Sequence, residues 1–335
     1  MKVIDLNRKT ILISRTDSIG DVILTLPICS WIKANFEDTK IIFLGKSYTV
    51  EVLQCFPFID HIVELNEWEA FSMEKQATLL AERDVDVFIH VFPNKHLARL
   101  ANKAKIPFRI GTSHRLYHLT TCNVRPNFTR KKSDKHEAQL NFSLLENAGV
   151  NQLPSIDEIK ELMTEFKPKV SLNGFLKKCL ERPQKKIILH TKSQGSAVEW
   201  PIENYIELAH RLVAKEYTVY FSGTEKEGKQ FRSFLPDNDS IIDISGRSSL
   251  GEFITFISQC DALVACSTGP LHIAAVLGIK AIGLYTDLRP MHPGRWAPIG
   301  KNSIALTADT KKPPQLEDIH LIKVEDVLEQ ITRTN

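Results

Sequence analysis

Short, nearly unbroken apolar runs alternate with amphipathic stretches along the chain. TILIS at 10–14, KIIFLG at 40–45, HIVEL at 61–65 and DVFIHV at 86–91 read as strands. Between and after them, residues 21–36, 48–55, 71–83, 94–105 and 137–148 space their apolar positions as helices do. A polar, proline-punctuated stretch at 154–183 follows, and then the pattern restarts. Strands are expected at 186–190, 217–222, 241–244, 262–266 and 280–284, and helices at 202–215, 225–235, 250–260, 270–277 and 324–332. Nearly continuous apolar strands separated by helices are the signature of parallel sheets covered on both faces. Two such halves imply an α/β chain of two Rossmann-like parallel-sheet domains facing a cleft, at 1–168 and 169–335.

Length and composition agree with this division. The chain has 335 residues, 43% hydrophobic and 25% charged, which fits two globular domains and excludes a disordered or collagenous protein. Its first twenty residues lack the apolar core and small-residue cleavage site of a secretory leader. The longest apolar stretch, 262–285, is interrupted by Pro270, His272, Lys280 and three glycines, so it reads as strand–turn–helix–strand and no membrane span is expected. The six cysteines form no CxxC pair and no Cys/His ligand cluster. A reduced, cytoplasmic setting without structural zinc is the economical expectation.

Charge changes the picture more. The 43 Lys+Arg and 40 Asp+Glu give a net +3, yet residues 95–135 hold 11 basic side chains, Arg99, Arg115 and Lys132 among them, against one acid, Asp134. That window is +10, and the remainder, 32 basic against 39 acidic, is −7. A charge run is usually a solvated face, but a single-sign segment this long more often meets something anionic.

Three loops at strand ends carry candidate chemistry. Arg15-Thr-Asp-Ser-Ile-Gly-Asp21 follows the first strand; Gly20 allows a tight turn that puts Asp21 at a helix start, as a dipole-stabilising acid or a general base. Cys266-Ser-Thr-Gly-Pro-Leu-His272 offers Ser267, Thr268 and Gly269 at a helix N-terminus with His272 one turn in, either an ordinary capped helix or a phosphate site. His190–Pro201 brings Lys192, Ser193 and Ser196 around Gly195, as a surface loop or a second phosphate cradle. Neither G-x-G-x-x-G nor a Walker loop is present, which counts against a dinucleotide enzyme or P-loop NTPase.

Together these loops resemble glycosyltransferase family 9, the lipopolysaccharide heptosyltransferases. Arg15 to Pro27 is similar to the family's R-x-[DS]-[SA]-[ILM]-G-D-x-x-x-x-[TL]-P, and His190 to Tyr205 to its H-P-x-[ST]…W-P-x-E-x-[FY]. Ser267 to Ala275 is similar to its D-T-G-x-x-H-[LI]-A-A, Ser222 to Glu227 to its strand-end G-x-x-x-E, and Arg289 to Pro298 to its late loop. The resemblance implies a GT-B fold with an N-terminal acceptor domain, a C-terminal nucleotide-sugar domain, and inverting transfer without a metal or cofactor. Asp21 would be the base; Lys192, Ser193, Ser196, Ser267, Thr268, Gly269 and His272 would hold the donor diphosphate; Glu227 would reach the ribose. Arg15, Gly20, Arg99 and Arg115 would face the acceptor. Val198, where relatives carry Lys or Arg, and Ser267, where they carry Asp, depart from the pattern and bear on which sugar is moved; Lys192, Arg289 or Arg295 could supply the missing charge.

The implied substrates are an ADP-activated or other nucleotide-activated sugar, heptose first, and an anionic glycolipid, the lipopolysaccharide core or lipid A. Such an enzyme would touch the inner face of the inner membrane peripherally and would not bind nucleic acid. The alternatives are a same-fold transferase using a nucleotide-hexose and a non-catalytic nucleotide-sugar-binding protein.

Overall fold

The computed structural model describes residues 3–131, 133–310 and 313–333. Met1 and Lys2 of the N-terminal stretch and Lys132 of the basic window lie outside the described residues. The chain divides between Phe166 and Lys167 into two compact units.

The first unit is built on a parallel sheet of β1 (Thr10–Ser14), β2 (Lys40–Gly45), β3 (His61–Glu64), β4 (Val87–His90) and β5 (Phe108–Ile110) in the order β3-β2-β1-β4-β5. The second uses β6 (Lys186–His190), β7 (Thr218–Ser222), β8 (Ile241–Asp243), β9 (Ala262–Cys266), β10 (Lys280–Tyr285) and β11 (Ser303–Thr307) in the order β11-β10-β9-β6-β7-β8. Every ladder is parallel. Each sheet starts in its middle and winds outward both ways, so the order reverses between β1 and β4 and between β6 and β9. At such switch points the loops leaving neighbouring strands diverge and open a crevice. Ser14 of β1 pairs with His90 of β4 at one, and His190 of β6 with Ala265 of β9 at the other.

The inner strands β1, β4, β6, β7 and β9 are almost wholly buried, which explains why they read as unbroken apolar runs. Two strands escaped the pattern for a physical reason. β5 is only Phe-Arg-Ile, and β11 is a half-buried edge strand, so neither shows a long apolar run.

Other departures are local. Residues 21–36 form two helices, Ile19–Ile23 and Leu26–Asn35. Pro27 has no N–H for the Ile23 carbonyl, and the Thr25 hydroxyl donates to the Asp21 carbonyl at 2.8 Å. The proline-punctuated stretch holds two short capped helices, Ile156–Glu161 behind Ser155 and Gly174–Leu180 behind Asn173. Residues 137–148 begin as the helix Glu137–Phe142 and tighten into a 3₁₀ turn, Ser143–Ala148. All six cysteines are buried and free. Among the described residues no helix is long and apolar enough to cross a membrane.

Candidate active site

The loop leaving β1 is organised by one buried arginine. Arg15 is 3% exposed, and its guanidinium meets three carboxylates. Nε donates to Asp17 Oδ1 at 2.7 Å, Nη1 to Glu137 Oε1 at 3.0 Å, and Nη2 to Asp21 Oδ1. Burial works against the charge of Arg15, but Asp21, Asp17 and Glu137 outweigh it and hold the group more firmly protonated than usual. Burial also pushes Asp17 up to about 6, against the pull of Arg15. Glu137, wholly buried at the head of its helix, also accepts from Arg130 Nε at 2.8 Å. Arg130 Nη2 reaches Asn141 Oδ1 at 2.8 Å, and Asn141 Nδ2 donates to the Leu24 carbonyl at 2.9 Å. The chain of contacts thus returns to the turn just beyond Asp21.

Asp21 is the third residue of the helix Ile19–Ile23, whose N-cap is Ser18. The Ser18 hydroxyl donates to Asp21 Oδ2 at 2.6 Å, so each oxygen of the carboxylate has one fixed donor. The Asp21 side chain remains 15% exposed, enough for one face to meet a hydroxyl. Gly20 is a buried helical residue, not a left-handed turn, so the expected tight turn is absent there; the chain bends at Asp17 and enters the helix through the extended N-cap Ser18.

Three strand ends of the second unit offer a different chemistry. At the end of β6, Lys192 Nζ pairs with Glu199 Oε2 at 2.9 Å, while Glu199 Oε1 accepts from the Ser193 N–H at 2.9 Å. Gln194 and Gly195, at φ 51° and 81°, turn the chain through the left-handed region, where glycine is unstrained. Ser196 is exposed, and its hydroxyl donates to the Ser193 carbonyl at 2.7 Å. At the end of β9, Thr268 is the N-cap of the helix Gly269–Val276, yet its hydroxyl caps nothing. Thr268 Oγ1 is buried without a hydrogen-bond partner, as is Thr191 Oγ1 beside Lys192. Ser267 is half-buried and His272 is buried one turn into the helix. At the end of β7, Glu227 is 4% exposed and closes a capping box, with Oε2 accepting from the Thr224 N–H at 2.6 Å and hydroxyl at 2.9 Å. Among the described residues no group of three or more His, Cys, Asp or Glu is placed to hold a metal ion.

Residues 75–323 match the profile described as glycosyltransferase family 9 (heptosyltransferase). The chain belongs to that family. A Haemophilus influenzae protein, described provisionally as a glycosyltransferase, is 27% identical over 96% of this chain and 95% of its own. Among solved structures, Escherichia coli ADP-heptose LPS heptosyltransferase II is similar at a TM-score of 0.75 and 19% identity, covering 96% of this chain and 97% of its own. The E. coli heptosyltransferase WaaC with ADP is similar at 0.71 and 16% identity, covering 96% and 98%. The fold is therefore the GT-B build of the family, and the protein is a heptosyltransferase-like glycosyltransferase.

As a family 9 chain, this one shows which motif positions are scaffold. Trp200 and Tyr205 of the W-P-x-E-x-[FY] match are core residues, ring to ring at 4.9 Å. The Trp200 N–H donates to Cys266 Sγ at 3.3 Å and the Tyr205 hydroxyl to the His190 carbonyl at 3.4 Å, so they tie the ends of β6 and β9. Val198 packs on the same core, and Arg295 is buried with its guanidinium 5.1 Å from the Trp296 ring. Arg289 is exposed. Of the acceptor-side residues, Arg15 is enclosed by its carboxylates, whereas Arg99 and Arg115 are exposed.

Glu137, Arg130, Asn141 and Glu199 were not singled out from the sequence. Glu199 lay inside a quoted motif, and only its charge beside Lys192 could have drawn attention. Glu137 stands 122 positions from Arg15, and no local pattern announces that contact.

Proposed function

We propose that the protein moves a heptose from ADP-heptose onto a lipopolysaccharide core or lipid A acceptor, inverting the anomeric carbon and using no metal. The observation that carries this reading is the Asp21 carboxylate, fixed from both sides by Arg15 and Ser18 at the switch point of a family 9 sheet. A neutral hydroxyl is a poor nucleophile. Asp21 accepts its proton as the oxygen attacks the anomeric carbon from the back, and the bond from that carbon to the diphosphate oxygen breaks. The departing ADP gathers negative charge.

Donors suited to that charge stand in the second unit: the unpartnered Thr268 hydroxyl, the first N–H groups of the helix Gly269–Val276, and Lys192. Glu199 holds Lys192 in place until the diphosphate competes for it. Ser193, Ser196, Ser267 and His272 line the same two strand ends, and Glu227 keeps Oε1 for a ribose hydroxyl while Oε2 closes its cap. In the first unit, Arg15 acts through Asp21, and Glu137 through Arg15. The exposed Arg99 and Arg115 meet the anionic glycolipid, and contact with the membrane surface is peripheral.

One departure favours a second reading. Ser267 stands where an acid that contacts sugar hydroxyls is expected, which suits a nucleotide-hexose donor of different hydroxyl pattern. Thermal stabilisation across ADP-, UDP-, GDP- and CMP-sugars separates the two. A specific shift with ADP-heptose supports the first reading, a shift confined to a hexose nucleotide supports the second, and silence across the panel overturns both.

A further inference from the structure

Between Asp86 and Asp134 the sequence has no acidic residue, and within that span the chain makes one braced excursion. It leaves β5, runs to the short helix His118–Thr121, and returns to pair with its own outgoing strand. The Gly111 N–H donates to the Val124 carbonyl at 3.1 Å and the Ser113 N–H to the Pro126 carbonyl at 3.1 Å. The Thr112 hydroxyl adds a bond to the Phe128 carbonyl at 2.6 Å. His118 pins the inside of the tip, wholly buried, with Nδ1 2.9 Å from the Thr112 carbonyl. Gly111 makes room for it, since a Cβ there would stand 2.7 Å from the imidazole. Arg125 Nη1 donates to the Leu119 and Cys122 carbonyls, both at 2.9 Å, and closes the helix end.

This bracing holds apolar side chains in water. Leu116, in the turn before the helix, is 86% exposed, the most of any large apolar side chain among the described residues, and Leu119, three residues on, is 51% exposed. Arg115 and His114 are exposed beside them. A rigid tip carrying two bare leucines among cations, with no acid nearby in sequence, has the chemistry of a membrane-interface anchor. Leucine gains by leaving water, and arginine gains from anionic headgroups.

We propose that the tip 114–119 is where the protein docks on a bilayer of anionic phospholipid, with Leu116 and Leu119 entering the headgroup–acyl boundary and Arg115 meeting phosphates. The proposal deepens the peripheral contact of the function proposed above and rests on that reading for its biological sense. The charge balance selects the occupant: a cationic rim around apolar residues fits an anionic lipid surface.

The test is co-sedimentation of the full chain with phosphatidylglycerol–phosphatidylethanolamine vesicles that contain no glycolipid, against phosphatidylcholine vesicles. Binding to the anionic vesicles alone, weakened by salt, is expected. L116S/L119S should bind them about tenfold more weakly or worse, because two leucines lose their transfer from water. Both positions are exposed, so this variant keeps its fold and its thermal shift with the nucleotide sugar. A Leu116→Trp variant should gain fluorescence quenched by brominated lipid. Undiminished binding by L116S/L119S overturns the proposal. So does binding that requires the acceptor glycolipid, or a dimer that only the double variant dissolves. Because vesicle binding and the donor's thermal shift are read separately, failure of one leaves the other standing.

Discussion

At the end of β1, one arginine meets three carboxylates, and the Asp21 carboxylate has a donor on each oxygen. At the ends of β6 and β9, Thr191 and Thr268 bury hydroxyls that meet nothing. The Asp21 carboxylate is thus completed by the protein, while the Thr191 and Thr268 hydroxyls are left open. On the function proposed above Asp21 is a general base, which must be held still before the substrate arrives, and a carboxylate with a donor on each oxygen suits that role. On the same reading the departing diphosphate supplies partners to the two open threonine hydroxyls, whereas Lys192 must first release Glu199. Buried polar atoms without partners are uncommon and ask for a reason, and a bound phosphate supplies one.

The sharpest break of this comparison is Asp21→Asn, which keeps the shape and removes the proposed base. Turnover with donor and acceptor should fall about 10²- to 10⁴-fold while donor binding by calorimetry stays near that of the parent. Near-normal turnover would take the base away from Asp21 and make its two donors a helix-capping detail.

Next is Glu137→Gln, aimed at the bracing alone. Arg15 and Arg130 would then share a neutral amide in a buried place, and breaking a buried charge pair costs about 3 kcal/mol. Denaturant unfolding should register that loss. At temperatures where the variant is folded, kcat should fall with little change in the donor's KM, because Arg15 loses the carboxylate that fixes it beside Asp21. A variant with unchanged kcat would make the network purely structural.

What the sequence could and could not show follows the same division. The parallel-sheet pairs and the three strand-end loops were legible because buried inner strands are unbroken apolar runs and helix caps are local chemistry. Thr268 and Lys192 were visible as residue types at a helix start and in a polar loop. That the Thr268 hydroxyl is without a partner depends on how the end of β9 packs, and although Lys192 and Glu199 are only seven positions apart, a polar loop does not show which of its side chains meet. The resemblance implies an acceptor contact at Arg15, and nothing local in the sequence marks the residue as buried. Only the fold brings Glu137, which begins a helix late in the same unit, beneath it.

The open side of the comparison is sharpened by Thr268→Val. A hydrogen bond to a charged group contributes about 1.5–3 kcal/mol, so ADP affinity by calorimetry should drop roughly tenfold or more. Stability of the unliganded chain should hold or rise, since the change deletes a buried hydroxyl that has no protein partner. Weaker folding together with unchanged ADP affinity would mean that the hydroxyl serves the protein and not the ligand.

The smallest effect separates two histidines, one at each switch point. His190 is buried, but its Nδ1 lies 3.0 Å from the Ser222 hydroxyl. Burial lowers its pKa while Glu227 and Glu199 work the other way. His90, stacked on Phe88 at 4.2 Å, has neither ring nitrogen hydrogen-bonded, and its pKa is pushed down to about 3, by burial first and then by His118 and Arg109. The folded chain therefore binds a proton at His90 far less readily than the unfolded chain, whose histidines titrate near 6.5. The stability this provides is complete above about pH 6.5 and is lost as pH falls towards 3. Between pH 6.5 and 5 the loss is on the order of 1–2 kcal/mol, and His90→Leu should remove that slope from a series of melting temperatures against pH. A slope that survived in His90→Leu and vanished in His190→Leu would place the acid sensitivity in the second unit, where neighbouring carboxylates already favour the imidazolium.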